Sequence, residues 1–115
     1  MIELSNPEDY ADFIHNHPVT LIHFWGVWNA YDHLMKERLK GLESEYENIV
    51  EFGSVNVDRE EMIDICIEVG MKNVPALAYY ENGSRIETII GLESKEKIKE
   101  RLQIILLGNN QYEHT

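Results

Sequence analysis

Cysteine is nearly absent from this chain, whose 115 residues include only Cys66. A lone thiol excludes an intramolecular disulfide and any cysteine-built zinc site, and it suits a reducing compartment. Positive charge is also scarce: 10 Lys and Arg face 21 Asp and Glu, for a formal net charge of −11. A balance that acidic repels phosphate backbones and anionic lipid heads. The densest basic stretch, Lys95, Lys97, Lys99 and Arg101, is interleaved with Glu93, Glu96 and Glu100, which makes it a solvated helix face rather than an anion site. No apolar run is long enough to span a bilayer, and Met1 to Pro7 lacks the basic-then-apolar order of a signal peptide. The expectation is a cytoplasmic protein that uses neither nucleic acid nor membrane as a partner.

What is present is an ordinary globular balance, 43% apolar and 27% charged residues, in a length that suits one domain. Turn signals divide the chain into short alternating elements. Ile2 to Leu4 is a short edge strand. Ser5-Asn6-Pro7-Glu8-Asp9 starts a helix, with a capping side chain, a first-turn proline and acids at the positive helix end; it runs to about Asn16. Thr20 to Trp25 is an almost unbroken apolar, β-branched and aromatic run, the pattern of a strand covered on both faces. Met35, Leu39, Leu42 and Tyr46 recur at helical spacing within a helix from about Tyr31 to Glu47. A further strand covers Ile49 to Val57, with Val50, Phe52 and Val55 turned to the core.

Asp58-Arg59-Glu60-Glu61 has the form of a capping box, and behind it Met62, Ile65, Cys66 and Val69 make one buried helical face. Asn82-Gly83 between two β-rich runs predicts a tight hairpin. Ser94 caps a last helix that Gly108 ends. The order β-α-β-α-β-α, then hairpin, then helix requires both parallel and antiparallel pairing. The expected fold is therefore α/β: a central mixed sheet of about five strands flanked by about four helices. One domain occupies residues 1–108, followed by a disordered tail at 109–115.

This order and several residues resemble the thioredoxin family over nearly the whole chain, from about Ile2 to Leu107. Leu21-Ile22-His23-Phe24-Trp25-Gly26-Val27-Trp28 resembles the strand and loop that enter its active site. Asn56-Val57-Asp58 resembles the end of its third strand. Val74-Pro75 stands where the family carries a cis-proline, Asn82-Gly83 where it turns its hairpin, and Gly91 where a glycine flanks the substrate groove. The resemblance implies a thioredoxin fold and a cis Pro75. It also implies that Asn29 and Asp32 occupy the places of the attacking and resolving cysteines. His23 then replaces a buried aspartate and Ser54 a lysine. Disulfide exchange needs a thiolate to attack sulfur and a second thiol to release the mixed disulfide, and an amide and a carboxylate do neither.

The resulting expectation is no enzyme, no cofactor and no metal site. The protein instead binds a protein or peptide segment through the former substrate groove of Trp28, Tyr31, Val74, Pro75 and Gly91, where Val74 adds to that segment by strand-type pairing. The alternatives are a thioredoxin-related redox role through Cys66, and a subunit role in a larger assembly. The same placement brings His23 beneath the start of the second helix, in contact with Asp32 directly or through one water. Burial lowers the His23 pKa and a charged Asp32 raises it, so sequence alone leaves the sign open.

Overall fold

In a computed structural model, which describes residues 1–113, five strands and four α-helices alternate along the chain. The elements are β1 (Ile2–Glu3), α1 (Pro7–Asn16), β2 (Val19–Trp25), α2 (Ala30–Glu45), β3 (Glu51–Asn56), a 3₁₀ turn (Glu60–Met62), α3 (Ile63–Glu68), β4 (Ala76–Glu81), β5 (Ser84–Ile90) and α4 (Lys95–Glu113). The sheet order is β1-β3-β2-β4-β5. Strand β2 pairs in parallel with β3, His23 opposite Ser54, and antiparallel with β4, Phe24 opposite Ala76. This is the mixed sheet expected from the order of elements.

Alternation along the strands sorts the core into two layers. On one face Ile22, Phe24, Ala76 and Ala78 meet Tyr10 and Phe13 of α1 and Ile65 and Cys66 of α3. On the other face Leu21, Leu77 and Tyr79 meet Met35, Leu39 and Leu42 of α2 and Ile98 and Leu102 of α4. The predicted helical stripes at Met35–Tyr46 and Met62–Val69 are buried throughout. Asn6 caps α1 by accepting from the Asp9 amide, and Ser94 caps α4 by accepting from the Lys97 amide. The basic stretch of α4 is tied inward: Arg101 donates to Glu87 and Glu93, and Lys99 lies 2.8 Å from Glu45.

Two local expectations fail. The segment at Asp58 forms no capping box: the cap position is Arg59, without a side-chain bond, and the chain enters α3 through the 3₁₀ turn. Asn56 Oδ1 takes the Asp58 amide instead, so a turn at the end of β3 prevails over the helix signal. Helix α4 also continues through Gly108 to Glu113. An interior glycine weakens a helix by only about 1 kcal/mol relative to alanine, and Asn109 is held by a 3.1 Å bond to Glu81. Of the predicted tail, residues 114–115 lie outside the described residues.

Gly53 of β3 sits where three elements converge. A Cβ there would lie 3.0 Å from Leu4 Cδ1, 3.0 Å from Phe13 Cε2 and 3.1 Å from Ile22 Cδ1. All three neighbours are buried, so none is free to retreat. Gly53→Ala is expected to cost about 1–3 kcal/mol through overpacking. Urea unfolding measures this, with an unchanged m-value showing that the loss lies in stability alone.

Candidate functional site

Strand β2 delivers its C-terminal end, Trp25, to a loop that runs through Gly26, Val27 and Trp28 to Asn29, the N-cap of α2. A tight turn shapes the loop, with the Asn29 amide donating to the Gly26 carbonyl at 3.3 Å. Asn29 Oδ1 accepts from the Tyr31 amide at 2.9 Å and satisfies a free donor of the first helical turn. Two residues of the loop are forced outward: Trp28 is 75% exposed and Val27 63%. Tyr31 and Leu34, three residues apart on α2, extend the apolar patch.

Beneath the loop, Asp32 is buried and its carboxylate is doubly held. The Gly26 amide donates to Oδ2 at 3.0 Å, and His23 Nε2 lies 3.2 Å from Oδ1. The contact expected between His23 and Asp32 is direct. His23 is 2% exposed, and burial, with the nearby Lys36 charge as a lesser cause, pushes its pKa down to about 4. Burial raises Asp32, opposed by the Gly26 hydrogen bond and by His33. Burial therefore decides the sign that sequence left open. At neutral pH a neutral imidazole donates its Nε2 proton to the carboxylate, the assignment that gives both oxygens of Asp32 a donor.

His23 and Asp32 also line a cavity of about 120 Å³ together with Glu3, His33, Lys36 and Ser54. Met1, Trp25 and Val27 complete its lining, so the pocket mixes apolar walls with these polar groups. Ser54 donates to Glu3 at 3.2 Å. Among the described residues no group of three or more His, Cys, Asp and Glu is arranged to hold a metal ion, and no helix is long and apolar enough to cross a membrane.

The second wall of the site is the Val74–Pro75 segment, whose peptide bond is cis. Asn29 Nδ2 donates to the Val74 carbonyl at 3.0 Å, and the Gly91 amide donates to the Pro75 carbonyl at 2.8 Å. The structure thereby joins Trp28, Asn29, Tyr31, Val74, Pro75 and Gly91 into one face of the molecule. Val74 and Pro75 are buried, so the accessible part of that face is Trp28, Tyr31, Val27 and Leu34. Val74 does not offer the free main chain that strand addition requires: Asn73 Oδ1 takes its amide at 2.9 Å and Asn29 its carbonyl. Cys66 is 7% exposed within the α1–α3 core layer, and burial raises its pKa.

Sequence reasoning missed Gly26, Asn73, Val27 and Leu34. Asn73 was open to detection, because asparagine side chains commonly bond neighbouring main-chain groups. The amide that Gly26 turns toward Asp32 leaves no sequence signal.

A mixed sheet with helices on both faces, a capped loop beyond β2 and a cis-proline wall beside it define a thioredoxin-fold domain, and the loop and first helical turn carry an amide at Asn29 and a carboxylate at Asp32. A family profile described as Thioredoxin matches residues 1–104. The chain is 25% identical to thioredoxin from Porphyra purpurea over 91 residues, covering 79% of this chain and 83% of that protein. It is 26% identical to thioredoxin from Buchnera aphidicola subsp. Acyrthosiphon pisum over 102 residues, covering 89% and 93%. Among solved structures, a point-mutant thioredoxin from Halobacterium salinarum superposes with a TM-score of 0.83 at 16% identity, covering 91% of this chain and 89% of that one. Mitochondrial thioredoxin 3 from Saccharomyces cerevisiae, in its oxidized form, gives 0.80 at 23% identity, covering 90% and 93%. The chain belongs to the thioredoxin family.

The buried histidine carries a pH signature. Its folded-state pKa lies below the ordinary 6.5, so the unfolded chain binds the proton first. Its contribution is complete above pH 6.5 and is lost as pH falls toward 4, on the order of 3 kcal/mol. The raised Asp32 opposes this loss once it protonates. Unfolding at pH 7.5 and 4.5 is expected to show a smaller acid loss in His23→Leu than in wild type. By NMR titration, His23 is expected to stay neutral down to about pH 5, and Asp32→Asn to lower its midpoint further. Superimposable curves would show that the pair is uncoupled.

Proposed function

We propose that this thioredoxin-family domain performs no dithiol–disulfide exchange and instead recognises a protein segment at the loop face around Trp28. Exchange passes two electrons from a pair of thiols to a disulfide, and each sulfur must be reachable as a thiolate. Asn29 and Asp32 contain no sulfur, and Cys66 is a single buried thiol held toward its protonated form. Burial of Cys66 also weighs against redox action through that residue.

The observation that carries the binding reading is the exposure of Trp28, 75%, on a loop fixed from below by Asp32. A large aromatic held open to water on a rigid support, with Tyr31, Val27 and Leu34 around it, has the composition of an interaction hot spot. An acid stands beside the loop, Asp58 Oδ2 lying within 4 Å of the place a Gly26 Cβ would take, while Lys36 and His33 line the pocket beneath it. With the apolar patch, the net charge of −11 favours a partner segment that is apolar and basic, and disfavours nucleic acid and anionic membrane. A cytoplasmic setting belongs to the same proposal.

Two measurements test it. With dithiothreitol as reductant and insulin as the disulfide, wild type is expected to match the protein-free control, while Asn29→Cys/Asp32→Cys exceeds it; wild-type turnover would overturn the first half. Reduced, alkylated lysozyme serves as a basic unfolded chain for NMR titration. Shifts are expected to concentrate at Gly26 to Tyr31, Val74 and Gly91, and Trp28→Ala to weaken binding about tenfold or more. Absence of shifts at this face would overturn the second half.

A further inference from the structure

Val74 lies just outside the sheet. Strand β4 begins at Ala76, which already has Phe24 on one side and Ile90 on the other. The main-chain polar groups of Val74 thus have no strand neighbour, although a buried residue must pair them. Preceding a proline, Val74 is biased toward extended backbone, where the amide and carbonyl of one residue point the same way. Such a pair is the smallest edge to which an extended segment adds, through two hydrogen bonds.

In this molecule two side-chain amides fill that edge. Asn73 Oδ1 accepts from the Val74 amide at 2.9 Å, and Asn29 Nδ2 donates to the Val74 carbonyl at 3.0 Å. Together they reproduce the acceptor and donor of a partner strand. Asn29 suits this task because its other end is fixed: Oδ1 is held by the Tyr31 amide, which aims Nδ2 across the gap. Serine at 29 keeps a capping oxygen but lacks the amide donor that spans to Val74.

We propose that Asn29 and Asn73 form a latch that closes this protein's own strand-addition edge, so that an extended segment pairs with Val74 only after displacing both amides. The proposal rests on the loop-face reading above and adds its regulation. With the latch closed, a partner is held by side-chain contact with Trp28 and Tyr31. With it open, main-chain pairing is added. Each latch bond is a neutral hydrogen bond that competes with the incoming segment, and removing it relieves roughly a 3- to 10-fold penalty on affinity.

The latch is first read without any ligand. In the free protein the Asn29 side-chain amide protons are expected to exchange with solvent more slowly than those of Asn48, which is exposed. Equal exchange would overturn the latch. Binding is then measured by NMR titration with the capped peptide acetyl-Lys-Val-Thr-Val-Lys-Val-Thr-amide. Asn29→Ser/Asn73→Ala is expected to bind at least about tenfold more tightly than wild type, with the Val74 amide the most shifted resonance. Asn73→Ala alone, which leaves the cap of α2 intact, is expected to fall between the two. Equal affinity across the three proteins would overturn the latch and leave the loop-face reading standing. Binding by none of them at millimolar peptide would overturn the latch's role in docking, and the lysozyme titration then decides the loop face separately.

Discussion

Strand β2 has neither a face nor an edge open to water along most of its length, and the rest of the structure is arranged around that constraint. Residues Val19 to Phe24 are all buried. Their main-chain groups are paired on one side by β3 and on the other by β4, and their side chains divide between the two core layers. A strand buried on both faces must be apolar at successive positions, which is what Leu21-Ile22 and Phe24 supply. Thr20 and His23 are the polar residues of this run, and His23 is the larger and titratable one. It occupies a layer position where a polar ring needs a partner, and Asp32 on the following helix provides one.

That partnership links packing to the shape of the loop. A buried carboxylate is tolerated only with donors on its oxygens, and Asp32 obtains one from the sheet, through His23, and one from the loop, through Gly26. The loop is thereby drawn down onto the sheet while Val27 and Trp28 are turned out. Exposure of the aromatic and burial of the acid are two results of one arrangement. Electrostatically it favours a neutral imidazole, because burial penalises a charge on the ring and the nearby Lys36 adds to that penalty.

Asn29 has an analogous position at the outer edge. An amide is both donor and acceptor, so one side chain caps a helix and reaches a carbonyl across the groove. At the same place a thiol would leave the carbonyl unpartnered and available. The identity of residue 29 thus sets what the groove presents, because only a side chain that both accepts and donates makes the two bonds.

The sequence by itself determined the elements and the sorting of the core. Periodicity at Met35–Tyr46 and Met62–Val69, the caps at Asn6 and Ser94, the Asn82-Gly83 turn and the continuous run of β2 are local or nearly local signals, set by propensity and by burial of one face. It also fixed which chemistry is absent at positions 29 and 32, because residue identity alone decides whether sulfur is there. The local signals that failed, at Asp58 and at Gly108, are weak ones, overridden by the turn at Asn56 and by extension of α4. Only the tertiary structure decided the sign of the His23 shift, since that depends on how fully the ring is buried. Only it showed that Asn29 reaches the Val74 carbonyl from 45 residues away along the chain. Contacts of that kind are set by where the sheet places distant loops, and no pattern within either segment encodes them.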